Sequence, residues 1–307
     1  MKNSINADLK TWVYSGRVLI MLLLFVFVFA LSVRGSYSSF VLGNKFFLGE
    51  ERQSAKEDCY DEYIMTLTDP DAETLYNKEF LIMKLKTTES HLHALNPEHA
   101  LSYCIEMGYY FFPILLVIFG ALTIKSDMSS NLMRHRVARE GRWNFFFGKQ
   151  IVLFGVTILC FVIGTLIDYI DSYITYDHVT KQPIFYLIDV AGSKYPNMGN
   201  SIVSIVFFFF FILLFSEMGF CVGLITKSVI IPTVITLVLF YILPIYKYSP
   251  VNALRNVFSK LSDFQGIINC SAMFEINTSV AWLIISMLLI IPYTVAVIVY
   301  KYRSAYK

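Results

Sequence analysis

"KSDMSSNLMRHRVAREGRWNFFFGK", Lys125 to Lys149, lies between two runs of sequence that are nearly free of charge. It carries six Lys/Arg and two acids, Asp127 and Glu140. The flanking runs, Gly108–Ile124 and Gln150–Ile167, approach the length needed to cross about 30 Å of hydrocarbon at 1.5 Å per helical residue. A basic polar segment between two such runs reads as a loop at a membrane surface. The whole chain supports that reading. Of its 307 residues, 56% are hydrophobic and only 16% are charged, against about 25% charged in a soluble domain.

Four more runs qualify as spans: Val18–Val33, Ser201–Ile225, Val229–Ile245 and Ser279–Tyr300. The expected fold is therefore an all-α membrane protein with six transmembrane helices. Orientation follows from the Lys/Arg bias of the loops. With the N-terminus inside, the inner segments (1–17, 125–149, 226–228 and 301–307) hold 13 Lys/Arg in 52 residues. The outer loops 168–200 and 246–278 hold 5 in 66. Both termini and the opening stretch are expected in the cytoplasm of a multi-pass cell-membrane protein, in a prokaryotic plasma membrane.

Three regions result. Residues 1–33 hold an interfacial N-terminal helix, with Trp12 and Tyr14 at the membrane surface, and the first span. Residues 34–107 form a small outer domain with 13 acids against 7 Lys/Arg. Residues 108–307 form a five-helix region with the cytoplasmic loop 125–149. In the outer domain, "TDPDAETLYNKEFLIMKLK" reads as a helix capped by Asp69, with Pro70 at its first position. In 246–278, Leu254, Val257, Phe258 and Leu261 make an apolar stripe at helical spacing, expected on a short helix against the outer membrane face. Cys59, Cys104 and Cys270 fall outside the spans, where a Cys59–Cys104 disulfide is one pairing.

Chemistry-bearing motifs are sparse. Gly148–Lys149 lacks the upstream glycine and the following Ser/Thr of a nucleotide-binding loop. His91, His93 and His99 could ligate a metal only from an extended segment, and their surroundings read as a polar loop. No His lies within a span, and no pair of acids sits mid-span. Neither a catalytic residue, a metal site nor a cofactor is assigned to this chain, and nothing points to nucleic acid. In the fourth span, Phe207–Phe211 read as lipid-facing bulk. Ser216, Gly219 and Gly223 share a small-residue face suited to helix packing. Glu217 points away from Gly219. A carboxyl in a span must face protein or water, so Glu217 either hydrogen-bonds to a neighbouring helix or lines a translocation path.

The loop 125–149 carries more than orientation. Ser126 and Asp127 can cap a helix, and Leu132, Met133 and Val137 can dock one face of it. Charge alone would serve to touch anionic lipid; a capped helix suits a protein partner. With the N-terminal helix, the outer domain after span one, the "TKS" turn at 226–228 and a helical segment before span six, the chain resembles the ABC type-2 export permeases. That resemblance makes Asp127–Arg136 a coupling helix that docks into a separate cytoplasmic ATPase subunit. Asp127, Leu132, Met133, Arg134, Arg136 and Arg139 are then its coupling residues, and Gly148–Lys149 opens span three. Asn131 departs from the glycine many members carry, and no proline precedes the Arg-rich turn. The resemblance implies a dimer with an identical or related permease, in contact with membrane lipid, while ATP and magnesium sit on the partner. Other classes remain beside it: a membrane sensor or immunity subunit binding a peptide or antibiotic, and an ion-coupled carrier.

Overall fold

The structure is a computed structural model and describes residues 1–47, 78–129, 132–181, 201–242, 246–261 and 272–302. These are about 91% helical, with no strand among them. The α-helices are α1 (Lys2–Tyr14), α2 (Arg17–Phe47), α3 (Lys78–Leu95), α4 (Ala100–Ser129), α5 (Leu132–Glu140), α6 (Arg142–Val179), α7 (Ser201–Thr226), α8 (Ile230–Leu237), α9 (Pro250–Leu261) and α10 (Thr278–Tyr302). Five helical stretches among the described residues are long and apolar enough to cross a membrane: Arg17–Gly43, Pro97–Lys125, Arg142–Val179, Ile202–Thr226 and Thr278–Tyr302. Their outward faces are apolar. Leu283, Met287, Ile290, Ile291, Val295 and Ile298 on α10 are all exposed, as a lipid-facing surface requires. The chain is thus an all-α protein built as a multi-pass membrane protein is.

Of the expected fifth span, Val229–Ile245, residues 243–245 lie outside the described residues. The apolar helix runs from Ile230 to Ile242, its last turn π-helical over Val238–Ile242. These thirteen described residues cover roughly 20 Å at 1.5 Å each. The hydroxyl of Tyr241 donates to the Tyr110 carbonyl of α4. There α9 enters the bundle rather than lying on an outer face. Val251, Leu254, Val257 and Phe258 are buried, and Phe258 stacks on Tyr109 at 4.8 Å. Asn252 and Asn256 hold α9 to the start of α10. Both amides donate to the Phe274 carbonyl, at 2.8 and 2.7 Å, and both side-chain oxygens accept from backbone N–H groups, of Phe274 and Ile276.

Helix α7 is central, packed against α4, α6, α8 and α10. Its phenylalanine run is therefore not lipid-facing. Phe207, Phe208 and Phe211 are buried, Phe208 against Phe161 at 5.1 Å and Phe211 against Tyr109 at 4.9 Å. Further along the same contact, α7 meets α4 backbone to backbone. A Cβ on Gly219 would lie 2.3 Å from the Val117 carbonyl oxygen, and one on Gly120 would lie 2.3 Å from that of Ser216. Ser216, Gly219 and Gly223 all lie in this seam, Gly223 against Ala121.

Two helices outrun their expected spans. α2 continues past Val33 to Phe47, and α6 past Ile167 to Val179. The extension of α6 packs through Asp168, Ser172, Thr175 and Val179, a helical stripe that is mostly polar and so invisible to hydropathy. α3 lies against the extension of α2; its described part begins at Lys78, so the Asp69–Pro70 cap falls outside the described residues. So does Cys59. Cys104 is a free thiol buried within α4, donating to Asp168 at 3.0 Å, which removes it from the outer loops. Trp12 is also buried, 6.2 Å from Phe119.

The α4–α7 seam yields a test. Gly219→Ala should destabilise the chain by about 1–3 kcal/mol through overpacking, read by thermal denaturation in detergent. Gly155→Ala, with nothing within 4 Å of the new Cβ, should leave stability unchanged or raise it.

Candidate functional site

At one end of the bundle the described helices bring together α1, the last turn of α4, α5 and the first turns of α6. Burying five charged side chains there requires that each find a partner. α1 presents Ser4, Asp8 and Trp12 on one face, at i, i+4 and i+8. It crosses α6 at Gly148, where a Cβ would lie 2.7 Å from the Ser4 hydroxyl. That close approach places Lys149 between two acids. Its Nζ is 3.1 Å from Asp8 Oδ1 and 2.8 Å from Asp127 Oδ2, and donates to the Thr123 carbonyl at 3.1 Å. Arg136 enters from α5. Its Nη1 reaches the same Asp8 oxygen at 2.5 Å and Asp127 at 3.2 Å, while Nη2 reaches Glu140 Oε2 at 3.3 Å. Phe145 lies under both cations, 5.1 Å from each.

The cluster is nearly dry. Lys149, Asp8, Asp127 and Glu140 side chains are at most 5% exposed and Arg136 is 12% exposed. Burial pushes the Glu140 carboxyl up, but hydrogen bonds from Arg139 and Arg136 outweigh it and hold the group down at about 2. Burial pulls Arg136 down; its hydrogen bonds to Asp8 and Glu140 win and raise it.

This geometry redraws the loop. Asp127 belongs to the last turn of α4 and caps no new helix; the loop helix starts at Leu132. Asp127 and Arg136 face inward and position α5. Arg139, with a side chain 72% exposed, faces outward while bonding Glu140 at 2.8 Å. His135 and Ala138 are exposed beside it. The side chains of Leu132, Met133 and Arg134 lie outside the described part. The chain turns from α5 into α6 at Gly141, whose φ of +83° favours glycine. The far end of α10 joins this end of the molecule too. Arg142 donates to the Lys301 carbonyl, and the Tyr300 hydroxyl donates to the Arg142 carbonyl, both at 2.9 Å.

Glu217 lies deeper, away from the α4 seam. The Gln150 side-chain amide and the Cys221 thiol both donate to its Oε1, the thiol at 3.2 Å. Gln150 directly follows Lys149, so consecutive residues of α6 serve the charged cluster and the intramembrane acid.

At the opposite end, Arg34 pairs with Asp171 at 2.8 Å, with Arg34 exposed and Asp171 partly covered. The segment with His91 and His93 is helical, not a loop, through Leu95. His93 stacks on His99 at 3.9 Å. Burial and that neighbour push His93 down to about 4. No three His, Cys, Asp or Glu side chains among the described residues gather as metal ligands do. A half-open cleft of about 310 Å³ between α2 and α3 is lined by Ser39, Gly43, Lys84, Thr88 and His91.

Asp8 and Gln150 belong to no motif recognisable in the sequence. Asp8 had one visible signal, an acid in an otherwise basic N-terminal segment. Comparison with family models, with curated proteins and with solved structures finds no match to the chain.

Removing one partner of a buried ion cluster leaves the others uncompensated, at about 3–5 kcal/mol. Lys149→Met should destabilise by that amount, with Trp12 emission reporting release of α1, and Asp8→Asn on top of it should recover part of the loss. The depressed Glu140 adds a pH signature. Its stabilisation is full above its ordinary value of ~4.3 and is lost as pH falls toward about 2. Stability of Glu140→Gln should therefore fall less than wild type over that window.

Proposed function

We propose that the chain is the membrane-spanning permease subunit of an ABC exporter, driven by ATP and magnesium on a separate cytoplasmic subunit. One observation carries the reading. α5 is a short helix outside the apolar spans, held through Arg136 to α1, α4 and α6 and bearing exposed His135, Ala138 and Arg139. A surface helix with that many buried attachments is a lever: a push on its outer face moves α1 and two membrane helices together. The proposal assigns docking to Leu132, Met133, Arg134 and Arg139, and positioning to Asp127 and Arg136. It takes the path to lie between two permease chains, identical or related, in a prokaryotic plasma membrane with both termini in the cytoplasm. That α1 and the Tyr300–Lys301 turn each contact the first turns of α6, at the basic end of the bundle, supports this orientation.

Affinity purification of the full chain in mild detergent from its native host tests the reading. An ATPase subunit should co-purify. Leu132→Asp with Met133→Asp should cut its recovery at least tenfold, since an unpaired carboxylate at a docked apolar face costs several kcal/mol and 1.4 kcal/mol is a factor of ten. Insertion into the membrane should be unchanged. Full recovery of the ATPase by the double variant would end the assignment of α5.

Sidedness has its own check. In a cysteine-free background, a cysteine at Thr87 should react with an impermeant reagent on intact cells and one at Ser129 should not. The reverse pattern would invert the orientation and place α5 outside the reach of any cytoplasmic ATPase.

A further inference from the structure

Glu217 is 5% exposed and sits within the apolar length of α7. Its two oxygens are treated differently. Oε1 accepts from the Gln150 amide and from the Cys221 thiol. Oε2 is buried and has no hydrogen-bond partner. Among the described residues no Lys, Arg or His forms an ion pair with this carboxyl. The ionisable groups facing it are Cys221 on its own helix and Tyr293 on α10, and both are acids themselves. From α6 it meets the neutral Gln150.

A carboxylate in such a place would be a buried charge with two neutral donors and no counter-cation. Its cost is several kcal/mol in a low-dielectric interior. Binding one proton removes that cost. The asymmetry says where the proton goes: the doubly accepting Oε1 is the carbonyl oxygen, and the partnerless Oε2 is the hydroxyl. We infer that Glu217 is a proton-binding site of the membrane interior, holding its proton on Oε2 between α6, α7 and α10. When the proton leaves, the remaining charge has nothing to balance it, so release is linked to opening of the α6–α7 contact. Gln150, which holds Oε1, follows Lys149 in the chain. Movement of the charged cluster at that end of the bundle therefore reaches the carboxyl through one residue.

Infrared spectroscopy of the purified full chain in lipid nanodiscs at neutral pH tests this, with no partner subunit and no transport assay. Its outcome is thus separate from that of the export proposal. Wild type should show the carbonyl band of a protonated carboxylic acid, moving on deuterium exchange. Glu217→Gln should lose one carboxyl's intensity from that band. Gln150→Leu should keep the intensity but shift it to higher wavenumber, because the carbonyl oxygen loses a donor. If Glu217→Gln does not fold, Gln150→Leu decides alone. An unchanged band in Glu217→Gln, or an unshifted one in Gln150→Leu, would overturn the assignment.

Discussion

The ammonium of Lys149 is the point on which one end of the molecule depends. It is 3% exposed and touches Asp8, Asp127 and the Thr123 carbonyl. An ammonium removed from water is tolerable only with partners on every side that water has left. Those partners come from separate stretches of chain. α1 must fold back across α6 to bring Asp8. α4 must stay helical past its apolar run to bring Asp127. Arg136 then shares the same two acids, and this fixes where α5 lies. A loop helix of nine residues would be marginal by itself; here its position follows from charge satisfaction, with Val137 packed against the core as the apolar contribution.

The requirement also separates the basic residues of the opening segment into different tasks. Lys149 and Arg136 are interior counter-ions. Arg142 closes onto the last turn of α10 through the Lys301 carbonyl. Arg139 points to solvent. In one dimension these four residues are alike, and a count of positive charge treats them so. The count still orients the loops, because membrane topology responds to total Lys/Arg near span ends. It cannot assign docking. Reading Asp127 and Arg136 as partner contacts placed two interior residues on a surface.

What was legible in the sequence is what hydropathy encodes. The long apolar helices are visible because about 20 consecutive apolar residues match the thickness of a bilayer core and exceed what most buried soluble helices carry. The misplaced elements fail for separate reasons. The extension of α6 is held by Asp168, Ser172 and Thr175, which hydropathy scores as loop. The Phe207–Phe211 run is equally apolar whether it meets lipid or other rings, and only the central position of α7 decides. α9 is amphipathic because its apolar face enters the bundle while its asparagines hold backbone around 274–276. The ion cluster joins positions as much as 141 residues apart, and no local periodicity records such a pairing.

Consecutive polar residues at 149 and 150 do something apolar packing cannot. Helical neighbours point about 100° apart, so Lys149 faces α1 and α4 while Gln150 faces α7. Apolar side chains tolerate modest rotation of a helix, because one methyl contact replaces another. A buried ammonium and a buried amide do not, since each loses specific partners. Together they fix α6 in rotation and in depth, at the site where α1 already restricts it through Gly148. α5, α1 and α6 are thereby held to one another through the same buried charges. The same constraint reaches the carboxyl of Glu217, held by the residue next to the lysine.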